Sequence, residues 1–213
     1  MATASPSDDG GEPRARGRPR DARADAAILD AARHILATRG FDALSFEAIA
    51  QATGISRVSI YRRWPSKAHL TSEIANGGGG HLPDVIASEG IEGQVRALVR
   101  QLHDRYGQPD IGAAAIGMIV AYQREPALRE ELHIPLEDQA RADLRTVIAR
   151  GKALGMVRDT IDADALFDIA VGAVMFRMLV STAASDEDVV DAISEIVLNG
   201  VARARGVRTD CIE

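Results

Sequence analysis

The sequence predicts an all-α chain of about nine helices, a small N-terminal three-helix unit followed by a larger helical body. Three observations carry this. Apolar residues recur at three- and four-residue intervals along most of the chain, the spacing that lays them on one helix face. Aromatic residues make up only 4% and β-branched runs are scarce, whereas alanine, the strongest helix former, is abundant. Ser, Gly and Pro fall at the ends of the periodic stretches, where helices start and stop, and no stretch alternates as a strand would.

Taken in order, Met1 to Pro13 is rich in Ser, Asp, Gly and Pro and reads as a disordered tail. Arg14 to Arg20 is a basic arm, so residues 1–20 stand outside the folded part. The first helix carries Ile28, Ala32, Ile35 and Leu36 as one stripe and stops at Gly40 in a left-handed cap, with Phe41 as the apolar residue that follows such caps. Ser45 opens a second helix, and Glu47 in its first turn suits the helix dipole. Gly54 ends it. Ser56 is the N-cap of a third helix, with Ile55 and Ile60 spaced as a hydrophobic staple. Pro65 breaks the chain and Ser66 caps a fourth helix to about Ala75, after which Gly77–Gly80 reads as a hinge. Further helices are expected over Glu92–Tyr106, Asp110–Gln123, Pro126–Leu132, Leu136–Ala153, Asp162–Ala183 and Asp186–Arg205. The units are 21–70, 71–205 and a tail at 206–213.

Composition narrows the function. No apolar run reaches the roughly 18 residues of a membrane span, and the polar, then Arg-rich N-terminus lacks the apolar segment of a secretory signal. Cys211 is the single cysteine, so no internal disulfide forms and a reducing cytoplasm is expected. The net charge of −6 argues against a nucleic-acid binder until its distribution is read. Arg14 to Leu70 holds 11 Arg and Lys against 5 Asp and Glu, a balance of +6, which leaves −12 for the rest. A basic head on an acidic body points to nucleic acid on one side only; the alternative is a solvated basic face. His34, His69, His81, His103 and His133 show no metal-ligand spacing. No nucleophile motif, phosphate-cradling loop or triad is present, and no cofactor is expected.

The informative segment is Ser45 to Lys67, SFEAIAQATGISRVSIYRRWPSK. Two short helices meet at a glycine-containing turn, Ala52 to Ile55, which is helix-turn-helix chemistry. The first braces the second, and the second enters the major groove by its N-terminal residues. Arg57, in the first turn, suits a bidentate contact to guanine, Val58 a thymine methyl, and Ser59 a hydroxyl contact. Ser56 heads the same helix. Tyr61, Lys67 and Ser45 suit phosphates, while Ile60 and Trp64 are core.

This segment resembles the N-terminal domain of TetR-family repressors. The resemblance rests on Gly40, Ser45, Ile49-Ala50, Gly54-Ile55-Ser56, Tyr61, Trp64 and Ser66-Lys67, and the run from Tyr61 to Lys67 resembles that of a large subgroup. It covers Arg23 to Leu70, and it implies DNA-facing positions at Arg57, Val58, Ser59, Tyr61, Arg62, Arg63 and Lys67. Glu47 departs from it, since a carboxylate beside phosphate repels; its role toward DNA is left open. Arg16-Gly17-Arg18-Pro19 in the arm resembles an AT-hook core, so Arg16 and Arg18 are candidates for a narrow minor groove.

The body is expected to sense a ligand and to dimerise. The segment Asp162–Ala183 is apolar nearly all round, the mark of burial on two sides. Leu166, Ile169, Ala173 and Phe176 make one face, and Phe167, Val171, Val174 and Met178 another. With Val189, Ile193, Ile196, Val197 and Val201 of the last helix, the first face is expected to build a four-helix interface with a second copy. A homodimer reads a palindrome with half-sites about 34–36 Å apart. The resemblance places a small-molecule pocket between Glu92 and Ala183, with candidates Leu102, Tyr106, Ile116, Met118, Tyr122, Leu144, Ile148, Phe167, Val171 and Met175. Arg177, inside an apolar run, needs a partner: a ligand, a carboxylate of this chain, or the other subunit. The expected function is a repressor released from its operator by a small molecule. An activator on the same fold, an A·T-rich architectural binder using the arm, and a helical enzyme are the alternatives, the last disfavoured by the lack of a catalytic constellation.

Overall fold

The computed structural model describes residues 22–76, 86–181 and 188–201, with residues 86, 87 and 201 described by backbone alone. The basic arm with Arg16 and Arg18, the Gly77–Gly80 hinge, and the tail with Cys211 lie outside the described residues. Ten helices are found among the described residues, one more than the rounded expectation, and no strand.

The head comprises α1 (Ala22–Ala43), α2 (Phe46–Thr53), α3 (Arg57–Tyr61) and α4 (Lys67–Asn76). The stripe Ile28, Ala32, Ile35 and Leu36 is buried as its spacing requires. It packs with Leu44, Phe46, Ile49, Ile60, Trp64, Leu70 and Ile74 into one cluster. Gly40 does not make the expected left-handed cap. Its φ of 77° is positive, but its ψ of 178° is extended, and a last helical turn follows to Ala43. That kink carries Phe41 toward the body.

The short helices are held by their caps. Ser45 accepts from the Ala48 amide at 3.1 Å and Ser56 from the Ser59 amide at 3.2 Å. Gly54, at φ 72° and ψ 3°, closes α2 in the left-handed region. The Ser45→Ala variant is expected to lose about 1 kcal/mol of stability, as cap removal does, readable as a lower midpoint in urea. Ser66 departs from its expected role, because its hydroxyl pairs with His69 Nδ1 at 2.8 Å rather than capping α4.

The body comprises α5 (Ile86–Tyr106), α6 (Pro109–Arg124), α7 (Pro126–Leu132), α8 (Ile134–Ala153), α9 (Ala163–Leu179) and α10 (Val189–Val201). α5 begins earlier than expected because a turn precedes Gly90, whose φ of 70° interrupts the helix. α8 begins two residues early because Pro135 sits in the first turn, where its missing N–H costs nothing. Asp162 caps α9 through the Asp164 and Ala165 amides, and these bonds hold its carboxyl below the usual range. α9 stops at Leu179, short of the expected end. The body core joins α5, α8, α9 and α10 through Val99, Leu144, Ile148, Val157, Ala170 and Val174. No helix among the described residues is long and apolar enough to cross a membrane.

Head and body share a packed seam. α1 packs along α6, and Ala114 of α6 belongs to the head's core. Arg33 bonds Asp110 at 2.7 Å across this seam. The Phe41 ring lies on Gly117 of α6, where an added Cβ would meet it at 2.0 Å.

Candidate nucleic-acid interface and helical cavity

α3 is five residues long, and its two sides differ. Ile60 is fully buried and anchors it, while Val58 and Tyr61 are 70% and 57% exposed. Tyr61 rests edge-on against Phe46 of α2 with centroids 4.7 Å apart, which braces its ring at the surface. Arg57 is exposed and pairs with Glu47 at 3.6 Å across the turn. Glu47 thus answers the nearest cation of α3 as well as the α2 dipole. A pair this exposed is worth only about 0–1 kcal/mol, so Arg57 is easily drawn away.

Two expected DNA-facing side chains are turned inward. Arg63 pairs through Nε with Asp25 of α1 and donates from Nη1 to the Ser59 carbonyl at 2.9 Å. Lys67 donates to the Phe41 carbonyl and sits 3.8 Å above that ring. Burial pushes its ammonium below the usual lysine value, with Asp42 opposing. Both cations brace the head, for a physical reason spacing does not reveal: the Asp25 carboxylate and the Phe41 carbonyl come from α1, far back in the chain. Arg62 is exposed, and Ser45, Ser56 and Ser59 engage in the caps, with Ser56 and Ser59 hydroxyls 3.0 Å apart.

Inside the body lies a cavity of about 560 Å³. Of the expected lining residues it gathers Leu102, Tyr106, Met118, Tyr122, Leu144, Phe167, Val171 and Met175. Ile116 is excluded, being 48% exposed on the outer side of α6, and Ile148 is packed in the core. Arg177 is also excluded. It lies in a shallow groove with Phe176, Asp188 and Val189 between α9 and α10.

The polar groups of this cavity were not legible as a set. Arg141 donates to Glu137 and to Asp168, both at 2.6 Å, and to the Asp164 carbonyl at 3.2 Å, with its guanidinium 4.4 Å from the Phe167 ring. Those partners raise its already high pKa further, the Asp168 bond most. The i,i+4 spacing of Glu137 and Arg141 was the signal available. His133 pairs with Glu137 at 3.0 Å and stacks on Tyr122 at 5.2 Å. Arg105 donates to the Ala75 carbonyl and, at 3.0 Å, to Asn76 Oδ1. Ala75 and Asn76 end α4 and also line the cavity. Burial raises the Tyr106 phenol, partly offset by Arg105, and raises that of Tyr122, offset by a hydrogen bond with Ser72 of α4. The wall of the cavity is therefore also the end of the head's last helix.

The outer side of α9 and α10 carries Ile169, Phe176, Val180 and Ile196, exposed by 60%, 63%, 64% and 74%. Ala173 lies half-buried between them. Leu166, Val189 and Val197 do not join this stripe: they are buried within the chain, and Ile193 packs partly against the same core. An all-round apolar helix states that two faces are covered but not where one ends, so periodicity alone places Leu166 outward and leaves Val180 out of the stripe. The side chain of Val201 lies outside the described residues.

Comparison with known proteins agrees with this architecture. Residues 28–74 match the family model described as bacterial regulatory proteins, tetR family. Residues 86–197 match that described as tetracyclin repressor-like, C-terminal domain. The HTH-type transcriptional regulator YdeS of Bacillus subtilis is 28% identical over 86% of this chain and 91% of its own length. The HTH-type transcriptional repressor AcnR of Corynebacterium jeikeium is 33% identical over 34% of this chain and 39% of its own. Among solved structures, a transcriptional regulator from Saccharomonospora viridis in complex with choline aligns with a TM-score of 0.66 at 19% identity, covering 86% of this chain and all of that one. The short capped helix exposed on the head and the helical body behind it are thus parts of a DNA-binding transcriptional regulator, and the chain belongs to the TetR family.

Proposed function

We propose that the protein is a homodimeric repressor that holds a palindromic operator through α3 and leaves it when a small molecule fills the cavity of the body. The observation that carries this reading is the division of α3, with Ile60 locked in the head's core and Arg57, Val58 and Tyr61 turned to solvent. A helix anchored on one side and offered on the other fits a major groove. Arg57 reads a guanine, Val58 touches a thymine methyl, and Arg62, Tyr61, Ser59 and the capping Ser45 and Ser56 contact phosphate or base edges. Arg63 and Lys67 support the head from within. Arg16 and Arg18 add minor-groove affinity from the arm.

A single helix this short contacts few bases, so a second copy is needed, and the apolar stripe of α9 and α10 is where it docks. An exposed stripe of large apolar side chains on adjoining helices favours such an interface. Ligand release is supported by α4, whose last residues form cavity wall on one side and whose Leu70 and Ile74 belong to the head core on the other. The Corynebacterium jeikeium relative, similar over 34% of this chain, is a repressor, and the Saccharomonospora viridis neighbour holds choline. Both favour ligand-controlled repression over the activator, architectural and enzyme alternatives, and a reducing cytoplasm is where such a regulator works.

The test is an electrophoretic mobility shift with the intergenic DNA upstream of the protein's own gene. A sequence-specific complex at modest salt is expected, and binding no tighter than to random DNA would overturn the reading. Within it, Arg57→Ala is expected to weaken the operator complex about tenfold and to relax the preference at one base pair. Arg62→Ala should instead weaken all sequences alike and lower the salt slope by about one. Quantitative titrations on operator and scrambled DNA separate the two.

A further inference from the structure

We propose that the cavity takes an organic carboxylate with an apolar body, that Arg105 is its receptor, and that binding draws Arg105 off the end of α4. This rests on the reading of the cavity as the effector site and names the chemistry it selects.

Charge is unevenly matched around the cavity. Of the Arg and His side chains lining the cavity, Arg141 is held by Glu137 and Asp168, and His133 shares Glu137. Asp143, the third carboxylate on the wall, accepts from Gln139 at 2.8 Å. Arg105 stands apart. Its acceptors are the Ala75 carbonyl and the Asn76 amide oxygen, both neutral and both reached by the same nitrogen, Nη2. No carboxylate pairs with it among the described residues, and its Nε and Nη1 have no partner there. A guanidinium beside an apolar cavity, matched only by neutral oxygens, favours an anion, and a carboxylate engages its fork in two parallel charge-assisted bonds.

The cavity offers little to a cation. The carboxylates of the wall already have partners. Two of the three aromatic rings each have a neighbour in place, Phe167 against the Arg141 guanidinium and Tyr122 against His133. One side of each of these rings is thereby taken, which disfavours a quaternary ammonium cage.

Arg105 also explains how occupancy is felt. The last carbonyls of a helix lack intrahelical donors, and a guanidinium there both caps them and complements the dipole. Arg105 does this for α4. A ligand carboxylate competes for the same fork, so it is favoured in the state where α4 has lost its cap, and coupling follows from that difference alone.

The test uses the full chain and three probes of equal chain length: decanoate, decan-1-ol and decyltrimethylammonium, titrated calorimetrically at neutral pH, where decanoate is ionised. Decanoate is expected to bind about tenfold more tightly than decyltrimethylammonium. Arg105→Gln should weaken decanoate about tenfold while changing decan-1-ol less than about threefold, and Arg105→Lys should restore part of the loss. Because Trp64, the only tryptophan, bonds Glu73 on α4, saturating decanoate should also change its emission. A preference for the ammonium or the alcohol overturns the carboxylate assignment while leaving the cavity a ligand site, and that comparison needs only the wild-type protein. Decanoate affinity unchanged in Arg105→Gln removes Arg105 from the site, and an emission unchanged at saturation removes the link to α4. Binding of none of the three overturns both this proposal and the effector reading.

Discussion

Placing glutamate at both Phe176 and Ile196 is expected to yield a folded monomer whose operator affinity falls by about a hundredfold or more, the loss when two linked binding events become one. Both side chains are more than 60% exposed, so the chain's own core loses little. At an apolar interface, by contrast, each substitution buries an unpaired charge and its two-fold mate on the other copy. Sedimentation velocity reads the mass, circular dichroism the retained helix, and a titration with operator DNA the affinity. A dimer of unchanged affinity would move the interface elsewhere. The same pair at Leu166 and Val197, which lie within the core, should instead unfold the body, and this contrast separates the two faces of α9 and α10.

Gly117→Ala is the second large effect, and its sign decides between two forces. In a helix interior alanine is favoured over glycine by about 1 kcal/mol. Here the added Cβ would lie 2.0 Å from Cγ of Phe41 and 2.2 and 2.5 Å from its two Cδ atoms. The ring cannot simply swing aside, because Lys67 covers it and bonds its carbonyl. Overpacking of this kind outweighs the propensity gain, and a net loss of about 2 kcal/mol is expected. For a chain of this size that lowers the melting temperature by about 4–8 °C. Since the contact joins α6 to the first helix of the head, operator affinity should fall as well. A variant as stable as the wild type would show that Phe41 does not fill the place described.

Much of this architecture is readable before any coordinates. Ser45, Gly54 and Ser56 mark the ends of two short helices because caps are local chemistry, decided within four residues. Ile60 and Trp64 are legible as core for a related reason: they are large apolar side chains four residues apart in a short polar stretch. What escapes is decided by partners distant in sequence. Lys67 and Arg63 look like phosphate contacts until Phe41 and Asp25 claim them. Gly40 looks like a terminator until the need to deliver Phe41 to Gly117 extends its backbone. Arg105 reads as an ordinary basic residue in a last helical turn; its link to α4 spans some 30 residues of sequence. The faces of α9 escape differently, because core, cavity and exposed stripe are all apolar and periodicity cannot rank them.

Hydroxyl-radical footprinting of the upstream DNA with wild-type protein and with Arg57→Ala bears most directly on the head as a DNA reader. Two protected patches on one side of the duplex, centred about 34–36 Å apart and weakened together by the substitution, are expected. A specific footprint that Arg57→Ala leaves untouched, or a single unpaired patch, would contradict the account.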